Sequence, residues 1–194
     1  MAIDAFLQFT DPGASHSIPG ETQDRTFQKP PNGKDPCFEL QNWNFGTTND
    51  ASISSASMGA GSGKAKFDPF SITKAIDNAT PFLFRTLCTG GHYPLLTLWI
   101  RKAGGDTANA TSGSQASGVW YLEWQFAMAF VQEISWSHND PAPTEDVKFV
   151  YGAIKFTYKQ QTSKGTLGAD KHSQWSQVLN ADPGKWPPPD AEIV

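Results

Sequence analysis

The chain has 194 residues, a formal net charge of −4 and 18% charged residues. Its length predicts one well-cored domain over residues 1–194, and its slight acidity gives no basic surface for nucleic acid. No apolar run approaches the roughly 20 residues that a membrane-spanning helix needs, so we expect no membrane insertion. The start, Met1–Phe9, carries Asp4 and no Lys or Arg, so we expect synthesis in the cytoplasm without a signal peptide.

Alternating hydrophobicity predicts a fold built mainly from β-strands. The stretch Ile3–Phe9 alternates with the period of two that is typical of a half-buried strand. The polar stretch Thr10–Pro36 is rich in proline and glycine, which predicts a loop. A second strand over Phe38–Phe45 changes phase near Gln41–Asn42, and that change predicts a bulge or a sharp twist.

The stretch Phe67–Tyr93 contains a strand and then the one helix that the sequence predicts. Thr80 is its expected N-cap, because a threonine hydroxyl can accept a hydrogen bond from an unpaired N–H of the first turn. Pro81 suits the first helical position, and Gly90–Gly91 ends the helix after Thr89. The expected apolar face of the helix consists of Phe82, Leu83, Phe84 and Leu87.

Three strands are predicted after the helix. The stretch Pro94–Arg101 is apolar on both faces, which predicts a strand covered on both sides. A flexible connection over Lys102–Gly118 leads to the strongest strand signal, Val119–Trp136, and a turn at Asn139–Thr144 leads to Val147–Gln161. The side chains predicted to face the core are Trp120, Leu122, Trp124, Phe126, Met128 and Phe130 on the first of this pair, and Ile154, Phe156 and Tyr158 on the second.

The C-terminal part, about residues 166–194, is weakly patterned and is predicted to be a peripheral extension of the same domain. A last short element is expected around Trp175, Val178 and Leu179. The proline-rich stretch Lys185–Val194 is predicted to be a tail.

The segment Thr47–Gly63 is small and polar, and a loop of that length inside a compact domain is usually functional or disordered. Two interpretations remain open from its composition: a disordered loop, or a hairpin arm that becomes ordered against a partner. For the second interpretation, the residues expected to contact another subunit or ring are Ser52, Ile53, Ser57, Met58, Gly59, Gly61 and Gly63.

No arrangement of residues predicts an active site, a cofactor or a metal. The four histidines are far apart in sequence and lack the spacing of metal ligands, and Cys37 and Cys88 are expected to be ordinary buried or half-buried thiols. The glycine-rich stretch Gly59–Lys64 fails the spacing of a phosphate loop and precedes a strand instead of a helix. Tryptophans could form a sugar-binding platform, although filling a β core is the simpler use for them; they are Trp43, Trp99, Trp120, Trp124 and Trp136.

The stretch Phe67–Gly91, FDPFSITKAIDNATPFLFRTLCTGG, is the most specific motif of the chain, and weaker ones are Ile18–Thr22 and Phe38–Gly46. In this order the motifs resemble those of the haemolysin-coregulated protein (Hcp) family, the tube proteins of bacterial type VI secretion systems. The resemblance covers Met1 to about Gln161. The segment Gly20–Phe38 and the part after Gly165 look longer than is usual in the family, but some 30 proline-rich residues are too few for an appended toxin domain.

The resemblance implies a β-barrel of two sheets with one short helix at its side, as in phage tail tubes. It also implies six-membered rings of identical subunits that stack into a hollow tube, which a contracting sheath expels with a spike protein at its tip. Small effector proteins can travel in the lumen, and the protein is secreted with the tube. In this family the loop that matches Ser52–Gly63 is an extended hairpin that reaches the next subunit or ring. This role is mechanical, so no enzyme activity is expected.

Two other classes of function are alternatives. The first is a monomeric carbohydrate-binding β-sandwich that uses its tryptophans, and the second is a small enzyme with a site assembled from loops. The native mass separates a ring from a monomeric lectin-like module.

Overall fold

The computed structural model describes residues 3–10, 18–24, 26–29, 36–50, 52–54, 59–61, 63–102, 120–139, 142–161 and 167–188. These residues form twelve strands and one helix. The elements are β1 (Ile3–Thr10), β2 (Phe38–Glu39), β3 (Asn42–Asn44), β4 (Thr47–Asn49), β5 (Ser52–Ser54), β6 (Gly59–Gly61), β7 (Ala65–Phe67), β8 (Phe70–Ala75), α1 (Thr80–Thr89), β9 (His92–Lys102), β10 (Trp120–Asn139), β11 (Ala142–Gln161) and β12 (Leu167–Ser176).

The eight-stranded main sheet curls into a barrel. Its strand order is β2-β1-β9-β10-β11-β8-β3, and β12 pairs with β11 beside this path. The two end strands, β2 and β3, are consecutive in the chain, so the turn at Leu40–Gln41 closes the sheet on itself. At this turn the Leu40 N–H donates to the Ala5 carbonyl on one side, and the Gln41 N–H donates to the Thr73 carbonyl on the other. The predicted phase change at Gln41–Asn42 is therefore the point at which the chain passes from one edge to the other.

The barrel interior is the main hydrophobic core. It is filled by apolar side chains from the strands of the main sheet and by Leu83 from the helix. Aromatic rings dominate its centre: Phe70 stacks on Phe126 with ring centroids 4.3 Å apart, and Phe9 meets Phe38 edge to face. The fold is mainly β with one short helix, as the sequence predicted.

Strand β10 reverses its inward face at Met128. This residue has a positive φ of 52°, while the registers with β9 and β11 both continue from Ala127 to Ala129 without an extra residue. Before Met128, Phe126 faces the core, and after it Ala129 and Val131 do. The prediction that Met128 and Phe130 share the core face of Phe126 is therefore wrong, because the backbone conformation at Met128 reverses the side-chain alternation.

Only part of the predicted inward face lies inside the barrel. Phe126 is fully buried, while Leu122 and Trp124 are half-buried against the main core, and Trp120 packs on the opposite face of the sheet. On β11, Phe156 and Tyr158 are exposed, so their predicted burial is wrong. They lie on the upper part of β11 that pairs with β12, beyond the part that pairs with β8.

Strand β9 is buried on both faces, as predicted. Leu96, Leu98 and Ile100 belong to the main core. Trp99 points to the other face, where it packs with Phe6 in a second, smaller cluster.

Helix α1 begins one residue earlier than predicted and is capped differently. Thr80 lies inside the helix, and the N-cap residue is Ala79, which has no side chain able to cap. Asp77 supplies the missing acceptor, because its Oδ1 lies 2.9 Å from the Ala79 nitrogen. Gly90, with φ of 69°, ends the helix as predicted.

The face of the helix that packs is narrower than predicted. Leu83 is buried and Leu87 packs partly against the main core, whereas Phe82 and Phe84 are 52% and 48% exposed. A single short helix at the side of a barrel contacts it along one line, so residues one position away from Leu83 point to solvent.

Strand β12 is longer than the short final element that the sequence suggested. Its ten residues pair antiparallel with β11, from Ala153 opposite Ser176 to Gln161 opposite Leu167. Val178 and Leu179 follow it in an exposed turn. The assignment of residues 1–194 to one domain stays a prediction, and most of the connection Lys102–Gly118 and the end of the tail lie outside the described residues.

Candidate subunit-contact sites

The described residues of the arm form two short strand pairs outside the main sheet. Strands β4 and β7 pair with each other, β5 pairs with β6 further out, and neither pair belongs to the main sheet. All three residues of β4 are exposed. Phe67, at the end of β7, packs against the main core and anchors the returning strand.

The structure places five of the seven predicted contact residues. Ser52 pairs with Gly61, and Ile53 and Gly59 occupy the same outer strand pair. Gly63 lies nearer the base, where a Cβ atom would stand 2.6 Å from the Asp50 carbonyl oxygen, so only glycine fits there. Ser57 and Met58 lie outside the described residues. The β4–β7 pair encloses the β5–β6 pair in sequence, and this nested antiparallel pairing is the geometry of an extended hairpin.

A second candidate site is an exposed apolar surface around the helix, which we call the helix patch. Phe84 on α1 lies beside Trp136 on β10, which is 49% exposed, with the two rings 6.0 Å apart, and Phe82 is a further exposed ring on the same helix. Ile76, in the turn before the helix, is 42% exposed. Neighbouring aromatic rings left open to water in this way mark a binding surface more often than single exposed residues do.

A third candidate site, the strand patch, lies near the other end of the β10–β11 hairpin. Phe156 and Tyr158 are its exposed members, with Trp124 half-buried beside Phe156 at a ring distance of 5.3 Å. Trp136 pairs with Glu145, so about 11 residues of β11, or about 36 Å, separate the two patches. A contact between the helix patch of one copy and the strand patch of another would be heterologous, and heterologous contacts generate rings or filaments.

A buried polar network holds the helix patch in place. The Lys74 ammonium lies 2.6 Å from Oδ1 of Asp77 and 2.6 Å from Oε1 of Glu145. Glu145 is fully buried and also accepts hydrogen bonds from the Thr80 hydroxyl at 2.8 Å and the Trp136 indole N–H at 3.2 Å. One carboxylate therefore ties together β8, β10, β11 and the first turn of α1.

The sequence carried a signal for this network that composition alone does not show. Lys74 has the same parity on its strand as Phe70 and Ile72, so a charged residue occupies a buried position. A lysine is almost never fully buried without a partner. Its two carboxylate partners, Asp77 and Glu145, are distant from each other in sequence, and only the pairing of β8 with β11 brings them together.

The tryptophans do not form a common exposed platform. Trp99 is fully buried, and Trp43, Trp120 and Trp124 are half-buried in the two clusters. Of the five singled out, Trp136 alone is exposed. Packing against neighbouring rings, such as Trp43 against Trp124 at 5.1 Å, accounts for their positions.

The described residues contain no group of three or more His, Cys, Asp or Glu side chains that could hold a metal ion. No helix in the described part of the chain is long and apolar enough to span a bilayer. Cys37 is buried as expected, but Cys88 is exposed on α1, so the expectation of burial was wrong for it.

Burial raises the pKa of the Cys37 thiol, and the negative charge of Asp24 adds to the shift. In the unfolded chain the thiol has an ordinary pKa of about 8.5. Above that pH the unfolded chain has therefore lost the proton that native Cys37 keeps. Because the unfolded state then binds fewer protons, stability is complete below that pH and falls as pH rises, by up to about 1.4 kcal/mol per pH unit. We expect Cys37→Ala to flatten the decline in unfolding free energy between about pH 8.5 and 9.5.

Urea unfolding at several pH values, with reducing agent present, measures this slope. The matched control is Cys88→Ala, which replaces an exposed thiol and should leave the slope unchanged. An equal slope in wild type and Cys37→Ala would show that the thiol does not stay protonated in the folded state.

The fold defines a class of mainly β proteins: a barrel closed by the consecutive short strands β2 and β3, with one helix at its side and a hairpin arm. The family model described as "Type VI secretion system effector, Hcp" matches residues 6–158. The chain therefore belongs to the Hcp family of the type VI secretion system.

Individual relatives agree with this assignment. Protein hcp1 of Pseudomonas aeruginosa is 31% identical over 104 residues, which cover 53% of this chain and 58% of that protein. A solved type six secretion system protein superposes with a TM-score of 0.72 at 21% identity, covering 92% of this chain and 98% of the other. Hcp1 from Salmonella typhimurium gives a TM-score of 0.66 at 22% identity, covering 94% and 99%. At these identities the solved structures show a shared fold.

Proposed function

We propose that this chain is a structural subunit that assembles into six-membered rings, and that the rings stack into the inner tube of a type VI secretion system. The observation that carries the proposal is the family match over residues 6–158 on a barrel with the corresponding fold. The helix patch and the strand patch support it, because a ring needs two different apolar surfaces on each subunit.

The partners and location follow from this role. The chain is made in the cytoplasm, the sheath and spike proteins of the same system act on the tube, and the tube leaves the cell when the sheath contracts. Small effector proteins occupy the lumen. The role is mechanical, so we assign no catalytic residue and no cofactor.

Native mass spectrometry tests ring formation directly. We expect a species of six times the chain mass of 21.1 kDa at micromolar concentration. The double variant Phe82→Ser, Phe84→Ser removes exposed rings from the helix patch, so we expect it to weaken the ring with little change in the far-ultraviolet circular dichroism of the barrel.

A matched control replaces an exposed apolar residue elsewhere. Val150→Ser alters a side chain that is 38% exposed on β11 outside both patches, and it should leave the ring intact. A wild-type chain that stays monomeric at micromolar concentration would contradict the proposal.

The arm is assigned to the contact between rings. In the described part of the chain its outer pair, β5 and β6, forms a two-stranded sheet apart from the main sheet, so its outer backbone edges are available for pairing with a neighbour. Replacing Ser52–Gly63 with a two-residue Asn-Gly turn should leave single rings and prevent their stacking. Electron microscopy at high protein concentration distinguishes rings from tubes, and a secretion assay reports the effect in cells.

The control for the arm variant keeps its length and changes its chemistry little. Thr48→Ala, in the full-length arm at an exposed position outside the predicted contact residues, should stack as wild type. Tubes formed by the shortened chain would show that the arm is not the contact between rings.

The carbohydrate-binding alternative has weaker support, because only Trp136 of the five tryptophans is exposed. An oligosaccharide array would test it independently of assembly.

A further inference from the structure

A small second core lies on the outer face of the barrel, under the segment between β1 and β2. We call this segment the strap: residues Pro19–Asp24, Thr26–Lys29 and Pro36, which lie between Ile18 in the main core and Cys37 beneath the strap. The rings of Phe6 on β1 and Phe27 in the strap stack with centroids 3.9 Å apart and an angle of 10° between planes. Phe27, Cys37 and Trp99 are each fully buried. The strap therefore covers a face of the sheet that would otherwise expose Phe6 and Trp99.

An arginine fastens the strap to the sheet. The Arg101 guanidinium on β9 lies 2.7 Å from Oδ2 of Asp24 in the strap and 2.8 Å from Oδ2 of Asp4 on β1. It also lies over the rings of Phe6 and Phe27, 5.0 and 5.6 Å from their centroids. Oδ1 of Asp24 accepts from the backbone N–H groups of Thr26 and Phe27, which shapes the turn that presents the Phe27 ring.

The two ends of the strap are joined by backbone hydrogen bonds. The Gly20 N–H donates to the Pro36 carbonyl at 2.8 Å, and the Cys37 N–H donates to the Phe27 carbonyl at 2.9 Å. A Cβ atom on Gly20 would lie 2.1 Å from the Cys37 carbonyl oxygen, so the close crossing requires glycine. The Glu21 carboxylate reaches the Asn78 N–H at 3.1 Å, just before α1.

The sheet itself separates the strap from the main core. The second cluster consists of Phe6, Phe27, Cys37 and Trp99 with Trp120 beside it, and it shares no member with the barrel interior. Opening the chain after Ile18 therefore removes no side chain from the main core and breaks none of the hydrogen bonds between paired strands of the sheet. Satellite clusters of this kind open in local steps whose free energy is below that of global unfolding.

We propose that the strap is a separate conformational unit that opens while the barrel stays folded, uncovering the Phe6–Trp99 face, the Arg101 guanidinium and the Cys37 thiol. The stacked rings of Phe6 and Phe27 and the ion pair between Arg101 and Asp24 hold the strap closed. The hydrogen bond from the Asn78 N–H to Glu21 links the strap to the start of the helix. This unit does not depend on ring formation, so it stands whether or not the chain assembles into a tube.

The chain contains a natural reporter for strap opening. Cys37 is buried under the strap, and the exposed Cys88 can be replaced, so Cys88→Ser leaves one thiol whose reaction requires opening. The experiment measures the reaction rate of Cys37 with a chromogenic disulfide reagent in native buffer and in low urea. Global unfolding is measured on the same protein by circular dichroism.

We expect Phe27→Ala to accelerate Cys37 labelling about 100-fold or more, because a fully buried ring is lost from the closed state alone. Asp24→Asn should accelerate it about tenfold, because asparagine can still accept the turn's N–H groups but loses the ion pair with Arg101. The control Phe126→Ala destabilises the main core and should leave the labelling rate nearly unchanged. The urea dependence of labelling should be much shallower than that of global unfolding.

The opposite pattern would overturn the proposal. If Phe126→Ala accelerates Cys37 labelling as strongly as it lowers global stability, and labelling follows the full urea dependence of unfolding, then the strap opens only when the barrel unfolds. Asp24→Asn leaves all apolar side chains in place, so it gives a result even if Phe27→Ala does not fold.

Discussion

Phe126→Ala is expected to lower the free energy of unfolding by about 3–5 kcal/mol, the usual cost of truncating a fully buried phenylalanine. The Phe126 ring is fully buried and stacks on Phe70, with Phe45 and Tyr151 edge-on at 5.2 and 4.9 Å. Its loss leaves a cavity that these rings cannot fill without giving up their own contacts. Urea unfolding at fixed protein concentration measures the change.

Phe130→Ala is the matched control on the same strand. The two phenylalanines have the same parity in sequence, but the inward face of the strand reverses at Met128 between them, and Phe130 is only half-buried beside His92. We expect its truncation to cost about 1–2 kcal/mol, because a half-buried ring loses less buried apolar surface. Equal costs for both variants would show that the side-chain alternation continues unchanged through Met128.

Lys74→Met is expected to be about as damaging, at about 3–5 kcal/mol, because it leaves two carboxylates near each other without their shared cation. Glu145 is fully buried and Asp77 is 13% exposed, so water cannot replace the ammonium at Glu145. The loss should also loosen the start of α1, because the Thr80 hydroxyl in its first turn donates a hydrogen bond to Glu145 of the same network.

A double variant separates the pair from its surroundings. Adding Glu145→Gln to Lys74→Met removes the unpaired charge, and the amide can still accept from Trp136, so we expect the double variant to be more stable than Lys74→Met alone. The control is Lys148→Met, which breaks the ion pair with Glu133 whose side chains are 42% and 51% exposed. That change should cost about 0–1 kcal/mol. Similar costs for Lys74→Met and Lys148→Met would show that the network is not buried.

The network also explains why the most specific stretch of the sequence has the form it does. In Thr-Lys…Asp…Ala-Thr-Pro, Lys74 and Asp77 form the ion pair, and Thr80 places its hydroxyl between the Asp77 N–H and Glu145. These residues join the helix to the barrel. Their place in the motif is structural, and the exposed rings of Phe82, Phe84 and Trp136 are the surface that they position.

The candidate sites were only partly predictable. The arm was predicted from composition as one of two interpretations, because a small polar segment between two strands has too few apolar groups to pack by itself. The helix patch could not be predicted, because the sequence does not show which side of the helix meets the barrel. That orientation decides that Leu83 is buried while Phe82 and Phe84 are exposed. The strap was predicted as a loop, and the burial of Phe27 against Phe6 depends on contacts between residues far apart in the chain.

The sequence by itself determined the fold class, the single helix with its glycine stop and the doubly covered strand β9, because each depends on local periodicity or on one residue's backbone preference. Only the tertiary structure decided the phase of β10 after Met128 and the exposure of Phe156 and Tyr158 beyond the barrel. It also decided the meeting of Lys74 with Glu145 and of Arg101 with Asp24. Periodicity reports which residues share a face, but a change of backbone conformation such as the positive φ of Met128 reverses the face, and a neighbouring strand or strap decides whether that face is covered.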